Sequence, residues 1–418
     1  MTVERRIYRG WPIVVALGLI TILSYGTTQY LFGVLVDPVS RVLGGNRAQL
    51  SSAYSAALVV AAVLGLGVGR IVDRVGARLL LCLGGAVNAA TLLLLSRAQS
   101  LGEFTLVWAV GSGVAMALTQ YPLTFVVVTN WFDRRRPAAM ALLTTIGGLA
   151  SPICIPVAGW LVAAHGWRMA TMILAVPAAC TIPLALAVVR RRPEDVGLTP
   201  DGAARAAPGP ASGDSLVAAL HRPAFWLVTL GGMATMFCAN ALQVDQIPYL
   251  IDRGEAPLVA ASIAGLVGLA SVPGRLVLNL AGQRWPPQRL LVLAMAVMAA
   301  ALAVLLLTRG RAPTVAYALL YGAGYGAVTP LRATVMARQV GRRAYGTITA
   351  VQNLAVLGGS AAGPLTVGAL YDRFGGYRIA FLLLAVVVVA GAAATVLAPR
   401  PPAPAAHGEA QASDRNRA

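Results

Sequence analysis

The chain has 418 residues, of which 58% are apolar and only 11% charged, and its mean hydropathy is +0.73. Soluble domains carry about 25% charged residues, so this composition excludes an ordinary soluble protein and indicates a membrane protein. A net charge of +18 would suit nucleic acid if the basic residues formed one patch, but all 33 are arginines, mostly in short clusters between apolar runs. We therefore predict a lipid-bilayer partner and no nucleic acid.

Apolar runs long enough to cross a bilayer, about 20 residues each, predict twelve membrane helices. The predicted spans are 11–36, 49–69, 78–97, 103–130, 137–164, 168–189, 224–250, 257–283, 289–308, 312–337, 344–370 and 377–398. The first span follows Arg5, Arg6 and Arg9, as the apolar run of a signal peptide would. That apolar run is, however, longer than the ~7–15 residues of a signal peptide. We interpret it as a membrane helix.

Segments of different composition separate the spans into two halves. Residues 190–222 are rich in Pro, Ala, Gly and charge and predict a flexible cytoplasmic linker. The predicted domains are thus an N-terminal six-helix half, 1–189, and a C-terminal six-helix half, 223–398. Residues 399–418 predict a disordered cytoplasmic tail.

The arginine distribution predicts the orientation. With a cytoplasmic N-terminus, 23 arginines fall inside, 9 fall outside and Arg275 is the remaining one. This asymmetry predicts a multi-pass protein of the cell (inner) membrane with both termini in the cytoplasm.

The two halves repeat each other. Arg135-Arg136 after span four matches Arg342-Arg343 after span ten, and Arg168 at the start of span six matches Arg378 at the start of span twelve. A parallel repeat of two six-helix halves is a transporter architecture, with the substrate bound between the halves at midplane.

Arg275 lies in span eight, in the stretch Ser271-Val-Pro-Gly-Arg275, and the next charge is Arg284. An arginine inside the hydrocarbon costs at least roughly 2.5–3.5 kcal/mol and normally faces water or an anion. Aligning Gln283 with Asp73 buries Arg275 in the span, whereas aligning Gly274 with Gly69 puts it at the membrane edge. It is therefore either an anion-binding cation or a structural arginine that ties helix carbonyls together.

The loop after span two, Gly69-Arg-Ile-Val-Asp73-Arg74-Val-Gly76-Ala-Arg78, fills every fixed position of Gly-x-x-x-Asp-Arg-x-Gly-x-Arg. This pattern resembles the loop signature of the major facilitator superfamily. The resemblance implies an all-α membrane fold of twelve helices in two halves related by pseudo-two-fold symmetry. It also implies that the loop is a conformational latch and not a substrate site; the alternative is an ordinary basic loop.

Within that superfamily the chain resembles the oxalate/formate antiporter and monocarboxylate transporter branch, through Arg9-Gly10-Trp11, Asn46-Arg47-Ala48-Gln49, Asn130-Trp131-Phe132 and Phe374-Gly-Gly-Tyr-Arg378. The resemblance implies that Arg275 binds a carboxylate. Two features depart from the branch: the chain has no lysine, and Ser271 stands where animal members have an aspartate. The proton-coupling pair of those members is therefore not present in that form.

Polar side chains inside the spans should face protein or water, and hydroxyls and amides around one arginine would suit a small carboxylate. The substrate-binding candidates are Arg275, Tyr25, Gln29, Gln120, Tyr121, Asn240, Ser271, Tyr321, Tyr325 and Asn353. For each, helix packing is the alternative. Asp245 is a candidate for proton coupling; alternatively it is an interfacial residue that reaches water.

These observations predict a secondary transporter of small monocarboxylates or dicarboxylates, working by proton symport or anion exchange and as a monomeric unit. An exporter of drugs or metabolites with the same fold is the alternative. No enzyme activity, metal or cofactor is predicted, because the three histidines lie in loops or the tail and the cysteines Cys82, Cys154, Cys180 and Cys238 fall singly.

Overall fold

A computed structural model describes residues 8–132, 135–190, 193, 197–198, 215–281, 285–340 and 345–399. Every regular element in these ranges is a helix. We number the helices α1 Gly10–Leu43, α2 Arg47–Val75, α3 Ala77–Ser96, α4 Leu101–Trp131, α5 136–165, α6 167–188, α7 Pro223–Asp252, α8 Pro257–Ala281, α9 Pro287–Leu307, α10 Arg311–Val340, α11 Tyr345–Phe374 and α12 Arg378–Leu397.

Ten stretches of the described chain are long and apolar enough to cross a membrane. One of them, Ala138–Val188, has 51 residues, enough for two crossings, and Gly166 divides it with a φ of 77°. The thirty-residue α10 is not among the ten, because its glycines, tyrosines and arginines make it less apolar. Counting α5, α6 and α10 separately gives the twelve helices that the sequence predicts.

The predicted linker falls largely outside the described residues. Its described part contains one short helix, Leu216–Leu220, directly before α7. Apart from Pro399, the predicted tail 399–418 lies outside the described residues.

Both described chain ends lie at the same side of the bundle. The Tyr8 hydroxyl donates to the carbonyl of Trp131, at the end of α4, and the Gln339 amide near the end of α10 donates to Pro399. We call this side the proximal end. The opposite side, with the loops 44–46, 97–100, 253–256, 308–310 and 375–377, is the distal end.

Helices α8 and α10 pack main chain against main chain because glycines occupy both surfaces. A methyl group on Gly274 would meet the backbone of Ala323, and one on Gly326 would meet the backbone of Ser271. This close approach fixes the position of Arg275, which follows Gly274 directly.

The first half, α1–α6, meets the second half, α7–α12, most extensively where α1 packs on α7, α2 on α11 and α5 on α8. At the distal end a methyl group on Gly368 of α11 would lie 2.9 Å from the Cα of Ala48 in α2. In a separate contact, Gly148 of α5 faces Val272 of α8. The α5–α8 contact therefore reaches Arg275.

Candidate functional site: the arginine between the halves

Arg275 lies in α8, half-buried where the two halves meet. Its Nε donates to the carbonyl of Gly326 in α10 at 3.2 Å, and its Nη1 donates to the carbonyl of Thr144 in α5 at 3.0 Å. The guanidinium thus contacts both halves at once.

No acidic side chain neutralises this guanidinium in the described part of the chain. The ion pair found there joins Asp37 to Arg47, at the distal end. The carbonyls of Gly326 and Thr144, which accept from Arg275, carry only partial charge. The arginine therefore keeps a net positive charge in a partly buried, weakly screened position.

Three tyrosines surround the guanidinium. The Tyr121 hydroxyl of α4 interacts with it directly, and Tyr30 of α1 and Tyr325 of α10 lie within electrostatic range. The ring of Tyr25 lies 5.2 Å from that of Tyr121, between centroids. Of the predicted residues, the structure brings together Arg275, Tyr25, Tyr121 and Tyr325.

Tyr30 was not among the predicted residues. It ends a π-helical turn, Gly26–Tyr30, in which the helix gains one residue. That extra residue rotates the following side chains, so a face assigned from α-helical spacing does not include Tyr30. Its position next to the candidate Gln29 was the available sequence signal.

Two predicted amides pair in the first half. The Gln29 side chain donates to that of Gln120 at 3.4 Å, and Gln120 donates to the Thr28 hydroxyl at 3.5 Å. Gln120 begins the second part of α4, directly before Tyr121. The amide pair therefore adjoins the tyrosines.

Three other candidates have partners of their own. The Asn240 side chain accepts a hydrogen bond from Tyr54 of α2 at 3.4 Å and thereby joins the halves. Ser271, 4% exposed, donates to the Gly268 carbonyl of its own helix, and Tyr321 donates to the Cys238 sulfur. None of these hydrogen bonds involves Arg275.

Asn353 lies apart from Arg275 and accepts a hydrogen bond from Arg332 at 3.4 Å. Arg332 is half-buried in α10, and its side chain lies over Gly232 of α7. The predicted orientation counts Arg332 among the cytoplasmic arginines. Its position inside the predicted span 312–337 is the sequence signal that could have marked it as a second arginine within a span.

Asp245 of α7 is completely buried, so it does not reach water in this structure. Its Oδ1 accepts a hydrogen bond from the Tyr377 hydroxyl at 3.5 Å. It lies toward the distal end, near Arg47 and Asp37.

The predicted latch loop is described in part. Helix α2 ends at Val75, Gly76 has a φ of 81°, and its N–H donates to the Val72 carbonyl. Arg78 donates to the carbonyl of Leu186 in α6 at 2.6 Å. The side chains of Asp73 and Arg74, and the surroundings of Gly69, lie outside the described residues.

Comparisons with known proteins agree with this architecture. The family model of the Major Facilitator Superfamily matches residues 17–364 and 312–416. Monocarboxylate transporter 13 of Rattus norvegicus is 28% identical over 396 residues, covering 93% of this chain and 89% of that protein. An MFS-type efflux pump of Mycolicibacterium smegmatis is 31% identical over 193 residues, covering 43% of this chain and 42% of that protein.

Solved structures share the fold at low identity. A bacterial homologue of the human lysosomal transporter Spinster, in an inward-facing and unoccupied conformation, has a TM-score of 0.75 at 18% identity, covering 94% of this chain and 98% of that one. The nucleoside transporter NupG has a TM-score of 0.75 at 13% identity, covering 92% and 99%. The family predicted from the loop motif and the repeat is confirmed: this chain belongs to the major facilitator superfamily.

Proposed function

We propose that the protein carries small organic anions, monocarboxylates such as lactate and pyruvate or small dicarboxylates, by alternating access. The observation that carries this proposal is the half-buried guanidinium of Arg275, bonded to carbonyls of both halves and surrounded by tyrosines. A permanent positive charge in such a place favours an anion as the transported species.

The chemistry of the residues suits a carboxylate. A guanidinium presents N–H groups in a planar fork that matches the two carboxylate oxygens. The hydroxyl of Tyr121, and those of Tyr30 and Tyr325 nearby, are added donors for those oxygens. An anion held by Arg275 would lie against α5 of one half and α10 of the other, so its binding would depend on how the halves are arranged.

The proposal includes the domains, the latch, the orientation and the coupling scheme. The domains are the halves 1–189 and 223–398, joined by the linker 190–222, and the 69–78 loop with Asp73 is the latch. The orientation is that of a cell inner membrane protein with cytoplasmic termini, so the distal end faces outward. Proton symport with Asp245 and anion exchange are the two coupling schemes, and the working unit is a monomer.

Export of drugs or metabolites is the second candidate. The efflux pump of Mycolicibacterium smegmatis, 31% identical over 43% of this chain, supports it. The relatives named as monocarboxylate transporters cover more of the chain, 93% in the case of transporter 13, and Arg275 is suited to an anion. Carboxylate transport is therefore the leading proposal.

Uptake into proteoliposomes tests the assignment. Labelled lactate, pyruvate, formate and oxalate would be offered to wild type, Arg275→Gln and Arg275→Lys, with and without a proton gradient. We expect one acid to enter through wild type. Loss of a charged hydrogen-bonding partner, about 2 kcal/mol, should slow entry about thirtyfold in Arg275→Gln. Arg275→Lys keeps the charge without the fork and should be intermediate.

Arg309→Gln is the matched control, because Arg309 is exposed in the distal loop 308–310 and should transport normally. If no carboxylate enters through the wild-type protein while an apolar dye is exported from inverted vesicles, the exporter assignment is correct. If folded Arg275→Gln transports as wild type does, Arg275 is a structural arginine.

A further inference from the structure

At the distal end, the N-terminus of α2 is held by a carboxylate of the other half. The N–H groups of Arg47 and Ala48 donate to Oδ1 and Oδ2 of Asp372 in α11, at 2.9 and 2.8 Å. Asn46 and Gln49 already form a capping box that satisfies the third N–H of the helix. Asp372 therefore accepts hydrogen bonds from the first two N–H groups of the helix, where the helix dipole favours negative charge.

The same segment is held a second time through Arg47. Its guanidinium forms an ion pair with Asp37 of α1 and lies 5.3 Å from the ring centroid of Tyr371 in α11. The side chain of Arg47 is only 12% exposed. Tyr371 and Asp372 thus contact the start of α2 together, and this contact closes the distal end.

Asp245 lies beside this contact without a cation of its own. It is fully buried, and its Oδ2 has no hydrogen-bond partner among the described residues. The charged groups that face it are Arg47, Asp37 and Asp372. Arg47 lies within electrostatic range of Asp245, but its ion pair is formed with Asp37 through Nη2, and its buried Nη1 has no hydrogen-bond partner among the described residues. Asp372 is bonded to the start of α2.

The remaining neighbour of Asp245 is the hydroxyl of Tyr377, which donates to Oδ1. Burial, followed by the neighbouring Asp245, raises the pKa of Tyr377, so this hydroxyl stays neutral. An ionised carboxylate with one long hydrogen bond and no ion-pair partner is strongly disfavoured in a buried place. The protonated acid is the form of Asp245 that fits the closed arrangement.

We propose that Asp372 and Asp245 form a proton-sensitive gate at the distal end, in which Asp372 holds the start of α2 shut and a proton on Asp245 permits the closure. The proposal rests on the proposed function in taking alternating access as the working cycle. Closing binds one proton to an Asp245 oxygen, and opening, which lets water in, returns it to the same side. By linkage, acid on the distal side favours the closed state and alkali favours the open one. The proposal takes the anion-exchange scheme, in which this proton regulates the gate and is not itself carried across.

Distances between spin labels on the two halves test the gate. Labels would be placed at Gln99→Cys and Arg309→Cys, both exposed in distal loops, in the full chain in lipid nanodiscs, with Cys82, Cys154, Cys180 and Cys238 replaced by alanine. Wild type, Asp245→Asn, Asp372→Asn and Asp372→Glu would be compared by double electron–electron resonance in mildly acidic and mildly alkaline buffer. Glu255→Gln, in the distal loop 253–256, is the matched carboxylate control.

We expect the wild-type protein to shift from the short to the long distance as the pH rises. Asp245→Asn, which mimics the protonated acid, should keep the short distance in both buffers. Asp372→Asn should lower the closed-to-open ratio at least about tenfold, Asp372→Glu should recover part of that loss, and Glu255→Gln should respond as wild type does.

A distance distribution in Asp372→Asn equal to that of wild type would overturn the role of Asp372. A full pH response in Asp245→Asn would overturn that of Asp245. Partial recovery of the closed-to-open ratio in Asp372→Glu would show that the effect of Asp372→Asn comes from the lost contact and not from misfolding. Because no substrate is present, failure of this experiment leaves the carboxylate assignment standing, and failed uptake leaves the gate measurement standing.

Discussion

Arg275 of α8 donates from Nη1 to the carbonyl of Thr144 in α5 at 3.0 Å, and this hydrogen bond joins the second half to the first. The bond does not neutralise the arginine, since a carbonyl carries only partial charge. When the halves move apart here, the guanidinium must lose Thr144 and keep Gly326 of α10, its other partner. An anion bound at Arg275 would replace the lost carbonyl, which links occupancy of the site to the motion of the halves.

The hydroxyl of Tyr121 should matter for substrate affinity. Tyr121→Phe removes a side-chain hydroxyl that interacts directly with Arg275. Loss of one hydrogen bond, about 1 kcal/mol, should raise KM about fivefold with little change in folding. Concentration-dependent uptake measures this. The comparison variant is Tyr321→Phe, whose hydroxyl donates to the Cys238 sulfur, and equal effects of the two variants would contradict the geometry.

Gly326 should be intolerant of a side chain. Alanine there would press its methyl group into the backbone of Ser271 and force α10 away from α8. We expect a loss of about 1–3 kcal/mol in the free energy of unfolding, measured by thermal or detergent-induced unfolding. Gly358→Ala is the control, because nothing lies within 4 Å of its added methyl group. A Gly326→Ala protein as stable as this control would show that α8 and α10 are not packed as described.

Gly232 and Arg332 should be energetically coupled. A methyl group on Gly232 would lie 2.9 Å from both Cδ and Nη1 of Arg332. Gly232→Ala should therefore destabilise the wild-type protein and cost markedly less once Arg332→Ala has removed the obstacle. A double-mutant cycle of unfolding free energies should give a coupling of about 0.5–3 kcal/mol. Additive effects would mean that the two side chains do not meet.

Much of the fold follows from local sequence properties. Apolar runs predict the helices, the break between α5 and α6 falls at Gly166, and the loop motif and repeat predict the family. These features are encoded in consecutive residues. The structure places Tyr25, Tyr121 and Tyr325 near Arg275, and their role as substrate-binding residues stays a prediction.

The parts that could not be predicted depend on which helix faces meet. Ser271 bonds to Gly268 within its own helix, and Gly326 of α10 packs against its backbone. Tyr30 enters the site through a π-helical turn. Asp372 meets α2 only because the halves close at the distal end. Each is a long-range relationship that spacing along one helix does not contain.

Equilibrium binding to the purified protein tests the central claim most directly. Titration calorimetry in detergent would compare wild type, Arg275→Gln and Arg309→Gln, each checked for folding, with the four acids of the uptake assay. The account predicts that wild type and Arg309→Gln bind one small carboxylate alike and that Arg275→Gln binds it at least about thirtyfold more weakly. Equal affinity of wild type and a folded Arg275→Gln would contradict it.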